Sequence, residues 1–306
     1  MKRKMAFAAV IFGILALVVG AAPAAAQTTA ATPNVAVGPQ YDTTHVYVAP
    51  DQFDRFVASV VATFGGTTTH KIVLTVTPTP SSTYSQLIMT PVGTLSVFGF
   101  TTPIPYPFGV ERTGYLVTDM ATALRSARMA GAGLILTTFP DPVGTDTIIQ
   151  WPGGIGMQLY WHTTPPSYKP LQTIPENRVY VSPDRADALI RSFLAFSHGK
   201  VTADDAHASG SDIGLPKKTF RRVRIESPFG KMTVLATAAP IPYPYGREIT
   251  GYAVTDLEGT IAKAKSAGAT VLVGPYTSDQ RLAAMVEFPG GYVAEIHSEM
   301  KKWAVQ

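Results

Sequence analysis

The chain has 306 residues, of which 46% are apolar and only 15% are charged, with 26 glycines and 25 prolines. This composition excludes a disordered chain and favours a globular protein rich in strands and turns, long enough for two domains. The chain contains no cysteine, which excludes disulfides, thiolate metal sites and a cysteine nucleophile.

The first 26 residues have the layout of a secretory signal peptide. Three cations, Lys2 to Lys4, precede an apolar stretch from Met5 to Ala22, and Ala24 to Ala26 stand before Gln27. This pattern predicts cleavage before Gln27 and a periplasmic or secreted protein that does not associate with a membrane afterwards. An uncleaved anchor is the alternative, because the apolar stretch is barely long enough to span a bilayer.

The positive charge is concentrated in this segment. The chain carries 25 basic and 21 acidic side chains, and loss of the three N-terminal cations leaves 22 against 21. Arg221, Arg222 and Arg224 form a small basic cluster, but they lie on a strand pattern without a nucleic-acid-binding motif. We therefore expect no nucleic-acid partner.

The first half of the chain predicts two strand-helix-strand-strand-strand modules after a flexible lead-in over residues 27–42. Phe53, Phe56 and Val60 recur at helical spacing, and this helix is expected to stop at Gly65. The predicted elements are strand Val46–Val48, helix Pro50–Phe64, strands Ile72–Thr77, Gln86–Thr90 and Thr94–Phe100, strand Tyr115–Val117, helix Met120–Ala130, and strands Leu134–Thr138, Thr147–Gln150 and Met157–Trp161.

The second half repeats the first, which indicates an internal duplication. Three segments recur at an offset of 137 residues and a fourth at an offset of 133. The pairs are Thr102–Gly109 with Ala239–Gly246, Gly114–Asp119 with Gly251–Asp256, Trp151–Gly154 with Phe288–Gly291, and Val46–Asp51 with Val179–Asp184. The repeat predicts one domain over residues 43–162, a linker over 163–176, a second domain over 177–299 and a tail over 300–306.

Local signals place the helices of the second half. Ser182 and Pro183 are typical of a helix start, and Thr255–Glu258 matches a capping box. The run Val201–Lys218 is polar and contains glycine, so the strands of the third module are hard to place there. Within it, the sequence Asp204–His207 is interpreted as a solvated loop rather than a metal site.

The four modules and their motifs resemble the vicinal oxygen chelate superfamily, which contains glyoxalases, bleomycin-resistance proteins and extradiol dioxygenases. The most specific pieces are Gly114–Asp119, Gly251–Asp256 and the Pro-Gly-Gly turns that lead to Gln158 and Glu295. The resemblance spans about residues 43–299. It implies an α+β fold in which four βαβββ modules pair into two glyoxalase-like domains with curled, cavity-forming mixed sheets.

The resemblance also implies four strand positions per domain that hold a divalent metal in enzymatic members. Carried over by aligning the modules, these positions are Thr43 (with His45 two residues on), Val97, Arg112 and Gln158 in the first domain, and Glu176, Val234, Ile249 and Glu295 in the second. Two valines and an isoleucine cannot ligate a metal. The quartet is thus expected to be degenerate, and a divalent metal remains the one cofactor to consider.

Glu295 and His297 are the metal-ligand candidates of the second domain. They lie two residues apart on a predicted strand and share a face, so they could form an acid–base pair or half a metal site. The alternative is that the strand frays near its end and His297 is solvated.

Six further residues are ligand-binding candidates. Gln158 can donate and accept hydrogen bonds, and Arg112 can bind an anion unless it forms an ordinary ion pair with Glu111. Glu248 is the repeat partner of Glu111, and His45 precedes the first strand. Prolines would hold Tyr106 and Tyr243 rigidly in the two Pro-Ile-Pro-Tyr-Pro segments, whose other interpretation is a structural crossover.

The leading hypothesis is an exported glyoxalase-like protein that binds a small molecule in one or both cavities and forms a monomer. One alternative is a metal-dependent lyase or dioxygenase with unconventional ligands. The other is a non-catalytic sequestering or structural module, for which a filled cavity is expected. The sequence leaves open whether the protein is an enzyme, because function resides in the site rather than in the fold.

Overall fold

The computed structural model describes residues 40–243 and 246–300, so the predicted signal peptide and nearly all of the lead-in and tail lie outside the described residues. Module 1 comprises β1 (Thr44–Tyr47), α1 (Phe53–Phe64), β2 (Thr67–Thr68), β3 (Ile72–Leu74), β4 (Thr83–Thr90) and β5 (Gly93–Phe100). Module 2 comprises β6 (Gly114–Leu116), α2 (Met120–Met129), β7 (Gly133–Pro140), β8 (Gly144–Trp151) and β9 (Ile155–His162).

Modules 3 and 4 repeat this order. Module 3 comprises β10 (Glu176–Val181), α3 (Pro183–Ser197), β11 (Lys200–Ser209), β12 (Thr219–Ser227) and β13 (Gly230–Ala236), with a 3₁₀ turn at Gly210–Ile213 after β11. Module 4 comprises β14 (Glu248–Ala253), α4 (Leu257–Ser266), β15 (Thr270–Ser278), β16 (Arg281–Phe288) and β17 (Tyr292–Glu299). The α+β class and the four modules predicted from the sequence are confirmed.

Each module closes by pairing its first and last strands in parallel: β1 with β5, β6 with β9, β10 with β13 and β14 with β17. An antiparallel pairing of β10 with β14 then joins modules 3 and 4 into an eight-stranded sheet, the second curled sheet. Modules 1 and 2 meet at the equivalent place through a bridge between Thr44 and Thr113. We call modules 1 and 2 together the first curled sheet.

Each helix packs on strands of its own module and against a helix of the other copy. Helix α1 lies against α4, and α2 lies against α3. Phe56 of α1 packs edge-to-face on Phe288 and Tyr292, with ring centroids 6.3 and 5.6 Å apart. Each main apolar core therefore draws on both halves, and the opposite face of each curled sheet is left to enclose an interior.

Several predicted boundaries need correction. The α4 cap is Asp256 rather than Thr255, since the Asp256 carboxylate accepts a hydrogen bond from the Gly259 amide at 3.0 Å. Asp119 caps α2 in the same way. The segment Asp204–His207 is part of β11 rather than a loop, and β8 begins at Gly144 rather than Thr147. Across the described ranges, no helix is both long and apolar enough to cross a membrane.

Candidate functional site

Strand alternation decides which side chains face each interior. Val97 on β5 and Val234 on β13 are fully buried in the cores that contact the helices. Their neighbours Ser96 and Thr233 face the interiors instead. The two valines carried over from the family pattern therefore lie on the wrong face, because a one-residue register change moves a strand residue to the other side of the sheet.

The first curled sheet encloses a cavity of about 510 Å³, which we call the first cavity. His45 and Gln158, both predicted site residues, lie in its lining. Apolar walls come from Leu74, Leu87 and Phe98. Among the described residues that line it there is neither lysine nor arginine.

One end of the first cavity is acidic. Asp42 accepts hydrogen bonds from Ser96 Oγ at 2.5 Å and from Tyr168 Oη at 3.1 Å. Asp146 is only 8% exposed, and burial, together with the negative charges of Asp141 and Asp42, raises its pKa well above the ordinary carboxyl range.

Three buried polar atoms at this end have no hydrogen-bond partner among the described residues: Asp146 Oδ1, Tyr160 Oη and His162 Nδ1. Asp146 and Tyr160 are direct neighbours across the β8–β9 ladder. Most buried polar atoms in folded proteins are hydrogen-bonded, so these three indicate a place where a ligand or water is bound.

Aromatic rings surround the same end of the cavity. The ring centroid of His162 lies 5.1 Å from that of Tyr160 and 5.4 Å from that of Tyr41. Tyr41 packs edge-to-face on Tyr168 at 5.7 Å. We call these four rings the aromatic cluster.

His45 lies deep in the first curled sheet. It is 4% exposed, and its Nδ1 lies 3.8 Å from Glu111 Oε1, an atom that also accepts a hydrogen bond from Tyr47. Gly114 makes room for it, since a Cβ at position 114 would lie 2.8 Å from His45 Nε2.

The interior of the second curled sheet is filled by charged side chains. Arg178, the repeat counterpart of His45, is 2% exposed, and its Nη1 lies 3.1 Å from Glu176 Oε1 and 3.2 Å from Glu295 Oε1. Arg281 Nη1 lies 2.7 Å from Glu176 Oε2, and His297 Nδ1 lies 2.7 Å from Glu295 Oε2. We call these five residues the ionic cluster. His297 is buried, so the alternative of a solvated strand end is wrong.

The two tyrosines of the proline segments behave differently. Tyr243 is 6% exposed and is buried against Tyr180, Leu235 and Met285 inside the second curled sheet. Tyr106 is 81% exposed and lines a cleft outside the first cavity. The second interior is therefore filled by both the ionic cluster and Tyr243.

The carboxylates of the ionic cluster do not fit a divalent metal. Burial alone would raise the pKa of Glu176 and of Glu295, but the charge of Arg178 and the other groups around them, including Arg281 at Glu176 and His297 at both, together outweigh this effect and hold both pKa values below the ordinary range. The guanidinium occupies the space between the two carboxylates, where it would repel a metal cation. Within the described part of the chain, no group of three or more His, Asp or Glu side chains is placed to hold a metal ion.

Arg112 and Glu248 meet between the two curled sheets, where they line two clefts of about 320 and 470 Å³. Glu248 accepts hydrogen bonds from the Arg112 backbone amide at 2.6 Å and from Thr113 Oγ1 at 3.2 Å. Burial raises the pKa of Glu248 to about 7. The His45 amide donates a hydrogen bond to the Arg112 carbonyl at 3.0 Å, but Arg112 and Glu248 do not line the first cavity, whereas His45 and Gln158 do.

Sequence reasoning missed five residues of the acidic end: Asp42, Asp146, Tyr160, His162 and Tyr168. One signal was present, since Tyr160 and His162 alternate with Gln158 along the same strand. Asp42 and Tyr168 fall in the predicted lead-in and linker, where no periodicity indicated a role.

Known structures share this architecture at low sequence identity. A mutant of 4-hydroxymandelate synthase from Streptomyces coelicolor superposes with a TM-score of 0.59 and 12% identity, over 87% of this chain and 95% of that one. A Mn(II)-bound glyoxalase from Novosphingobium aromaticivorans superposes with a TM-score of 0.53 and 13% identity, over 87% of this chain and 83% of that one. The 2,3-dioxygenase LapB from Pseudomonas sp. KL28 superposes with a TM-score of 0.51 and 12% identity, over 87% of this chain and 94% of that one.

No family model and no curated protein matches the chain. The superposed structures are members of the vicinal oxygen chelate superfamily. The fold that the sequence motifs predicted is therefore confirmed, and at these identities the likeness shows the fold alone.

Proposed function

We propose that this chain is an exported protein that binds a small molecule in the first cavity, without a metal ion. The observation that carries the proposal is the contrast between the two interiors. The first curled sheet encloses about 510 Å³ and leaves Asp146 Oδ1 and Tyr160 Oη unpartnered, whereas the second is filled by the ionic cluster. A volume of this size is within the range of small-molecule sites.

Unpartnered buried atoms make a ligand energetically favourable. An unsatisfied buried donor or acceptor costs about 1–3 kcal/mol, and a ligand that supplies the missing hydrogen bond recovers part of that cost. The apolar wall of Leu74, Leu87 and Phe98 would contribute burial of the ligand's apolar surface. The second curled sheet, on this proposal, is a scaffold that packs against the first through the helices.

A metal-dependent lyase or dioxygenase is the competing function. One of the superposed structures is a Mn(II)-bound glyoxalase, so a divalent metal is a reasonable candidate for this fold. The donor sets weigh against it here, because Arg178 lies between the two carboxylates of the second interior. The first cavity is lined by carboxylates and histidines, but no three of these described side chains are placed to hold one metal ion. Export rests on the signal-like first 26 residues of the sequence.

A thermal-shift screen tests the proposal on the mature protein. The panel contains small aromatic amines, alcohols and carboxylates, each measured with EDTA and with added Mn²⁺ or Zn²⁺. A ligand present at about 100 times its Kd stabilises the folded state by about 2.7 kcal/mol, a readily measured shift. We expect at least one compound to raise Tm equally in EDTA and in metal.

Two variants locate the binding. Ser85 lines the first cavity, and Ser85→Trp places a bulky ring there; Thr202→Trp puts the same ring on an exposed position of β11 as a control. We expect Ser85→Trp to abolish the shift and Thr202→Trp to keep it. Three results would each overturn the proposal: no compound raises Tm, the rise in Tm persists in Ser85→Trp, or the rise in Tm requires added metal.

A further inference from the structure

We infer that the first cavity selects an organic cation, an ammonium group carried on an aromatic or short apolar body. The inference rests on the proposed function and specifies its ligand class. It follows from four features of the cavity: the charge of its lining, its unpartnered acceptors, the aromatic cluster and its apolar wall.

The charge of the lining has one sign. Three carboxylates, Asp42, Asp141 and Asp146, line the first cavity, and the described lining contains no lysine or arginine to balance them. The remaining titratable groups of the lining are three histidines and three tyrosines: His45, His70, His162, Tyr47, Tyr160 and Tyr168. An anionic ligand would be repelled by the carboxylates, whereas a cation would offset their mutual repulsion.

The unpartnered atoms match an ammonium donor. Asp146 Oδ1 and Tyr160 Oη lie on side chains that are 8% and 4% exposed and that face each other across β8 and β9. Both oxygens can accept hydrogen bonds, and an ammonium group carries up to three donors and no acceptor. A charge-assisted bond to a buried carboxylate is stronger than a neutral one.

The aromatic cluster favours a cation at the same end. Tyr41, Tyr160, Tyr168 and His162 pack around Asp42 with ring centroids 5.1–5.7 Å apart in successive pairs. The electron-rich faces of tyrosine rings attract cations, and Tyr160 and Tyr168 of the cluster line the first cavity. Phe98, Phe108 and Leu87 of the same lining offer an apolar surface for the body of the ligand.

The cavity's ligand is therefore not the anion that Arg112 suggested from the sequence. Arg112 lies outside the lining of the first cavity, with its guanidinium carbon 5.2 Å from the Tyr47 ring centroid. Arg112 contacts the lining through the Tyr47 ring, whereas Asp146 and Asp42 lie in the lining itself.

Calorimetric titration with three isosteric probes tests the inference at low ionic strength and pH 8. Phenethylamine is a cation, 2-phenylethanol is neutral and phenylacetate is an anion. We expect phenethylamine to bind at least about tenfold more tightly than 2-phenylethanol, which corresponds to about 1.4 kcal/mol. Phenylacetate should bind most weakly. Benzyltrimethylammonium separates ring contacts from hydrogen bonding, because it retains the charge and has no N–H donor.

Asp146→Asn is the diagnostic variant, and Asp51→Asn, at an exposed position outside the first cavity, is its control. Asp146→Asn should weaken the binding of phenethylamine by about tenfold or more, and it should change the affinity for 2-phenylethanol by less than about twofold. Tighter binding of 2-phenylethanol or phenylacetate than of the amine overturns the inference and leaves the proposed function standing. Failure of every panel compound in the thermal screen overturns both.

Discussion

Replacing Arg178 by methionine is expected to lower the free energy of unfolding by about 3–5 kcal/mol, the usual cost of removing one partner from a buried ion pair. Arg178 is 2% exposed and lies within 3.2 Å of both Glu176 and Glu295. Without it, Glu176 keeps Arg281 and Thr233 as partners, but among the described residues Glu295 keeps His297 alone. The measurement is urea unfolding followed by circular dichroism at pH 7.

The double variant Arg178→Met with Glu295→Gln separates the charge effect from the loss of packing. The double variant removes the charge of the Glu295 carboxylate, which has lost its guanidinium partner. We therefore expect it to recover more than half of the stability lost in the single variant. A loss below about 1 kcal/mol in Arg178→Met, or no recovery in the double variant, would mean that the ionic cluster does not hold the second interior together.

Glu248 is expected to make the protein less stable as pH rises from 4.5 to about 7. Its pKa is raised in the folded state from 4.5 to about 7 by burial, so the neutral carboxyl is favoured by folding. The resulting stabilisation is fully present below the unfolded pKa and is lost as pH rises through the folded one. The difference amounts to about 3 kcal/mol.

Glu248→Gln removes this titration and retains an acceptor for the Arg112 amide and Thr113 hydroxyl. We expect the variant to be more stable than the parent at pH 8 and to have a flatter stability profile between pH 4.5 and 7. Glu226→Gln, at an exposed position of β12, is the control and should leave the profile unchanged. Identical profiles for the parent and Glu248→Gln would contradict the assignment.

The fold was predictable because its signals are local and repeated. Three kinds of signal recur: the capping residues Asp119 and Asp256 at the helix starts, the Pro-Gly-Gly turns, and the alternation along the strands. A duplicated sequence gives each of these signals twice. What the sequence did not reveal is the packing between copies. The pairing of α1 with α4 depends on which apolar faces meet in space, and periodicity does not contain that information. The domain and linker boundaries remain predictions.

The site was predictable only in part. His45 and Gln158 were identified because the repeat aligns them with family positions, and both line the first cavity. Asp42 and Tyr168 were missed because they lie in segments without periodicity, which secondary-structure patterns treat as connections. Ser96 was missed because the valine beside it fits the same strand pattern in the other register.

Arg178 shows why the second interior could not be assigned from residue types alone. Taken individually, three residues of this interior are potential metal ligands: Glu176, Glu295 and His297. The strand alternation in the sequence also places Glu295 and His297 on the same face. Only the position of the guanidinium between the carboxylates shows that these groups are already paired. The two proline segments make the same point, since identical motifs leave Tyr106 exposed and Tyr243 buried.

The most direct test of the central claim is a methyl NMR titration of the protein labelled at isoleucine, leucine and valine. The titrant is phenethylamine or, should it not bind, the panel compound with the largest thermal shift. We expect chemical-shift changes at Leu74, Leu87 and Val143, which line the first cavity, and none at Leu235, Ile249 and Val293 inside the second curled sheet. Changes confined to the second set would contradict the claim that the first cavity is the binding site.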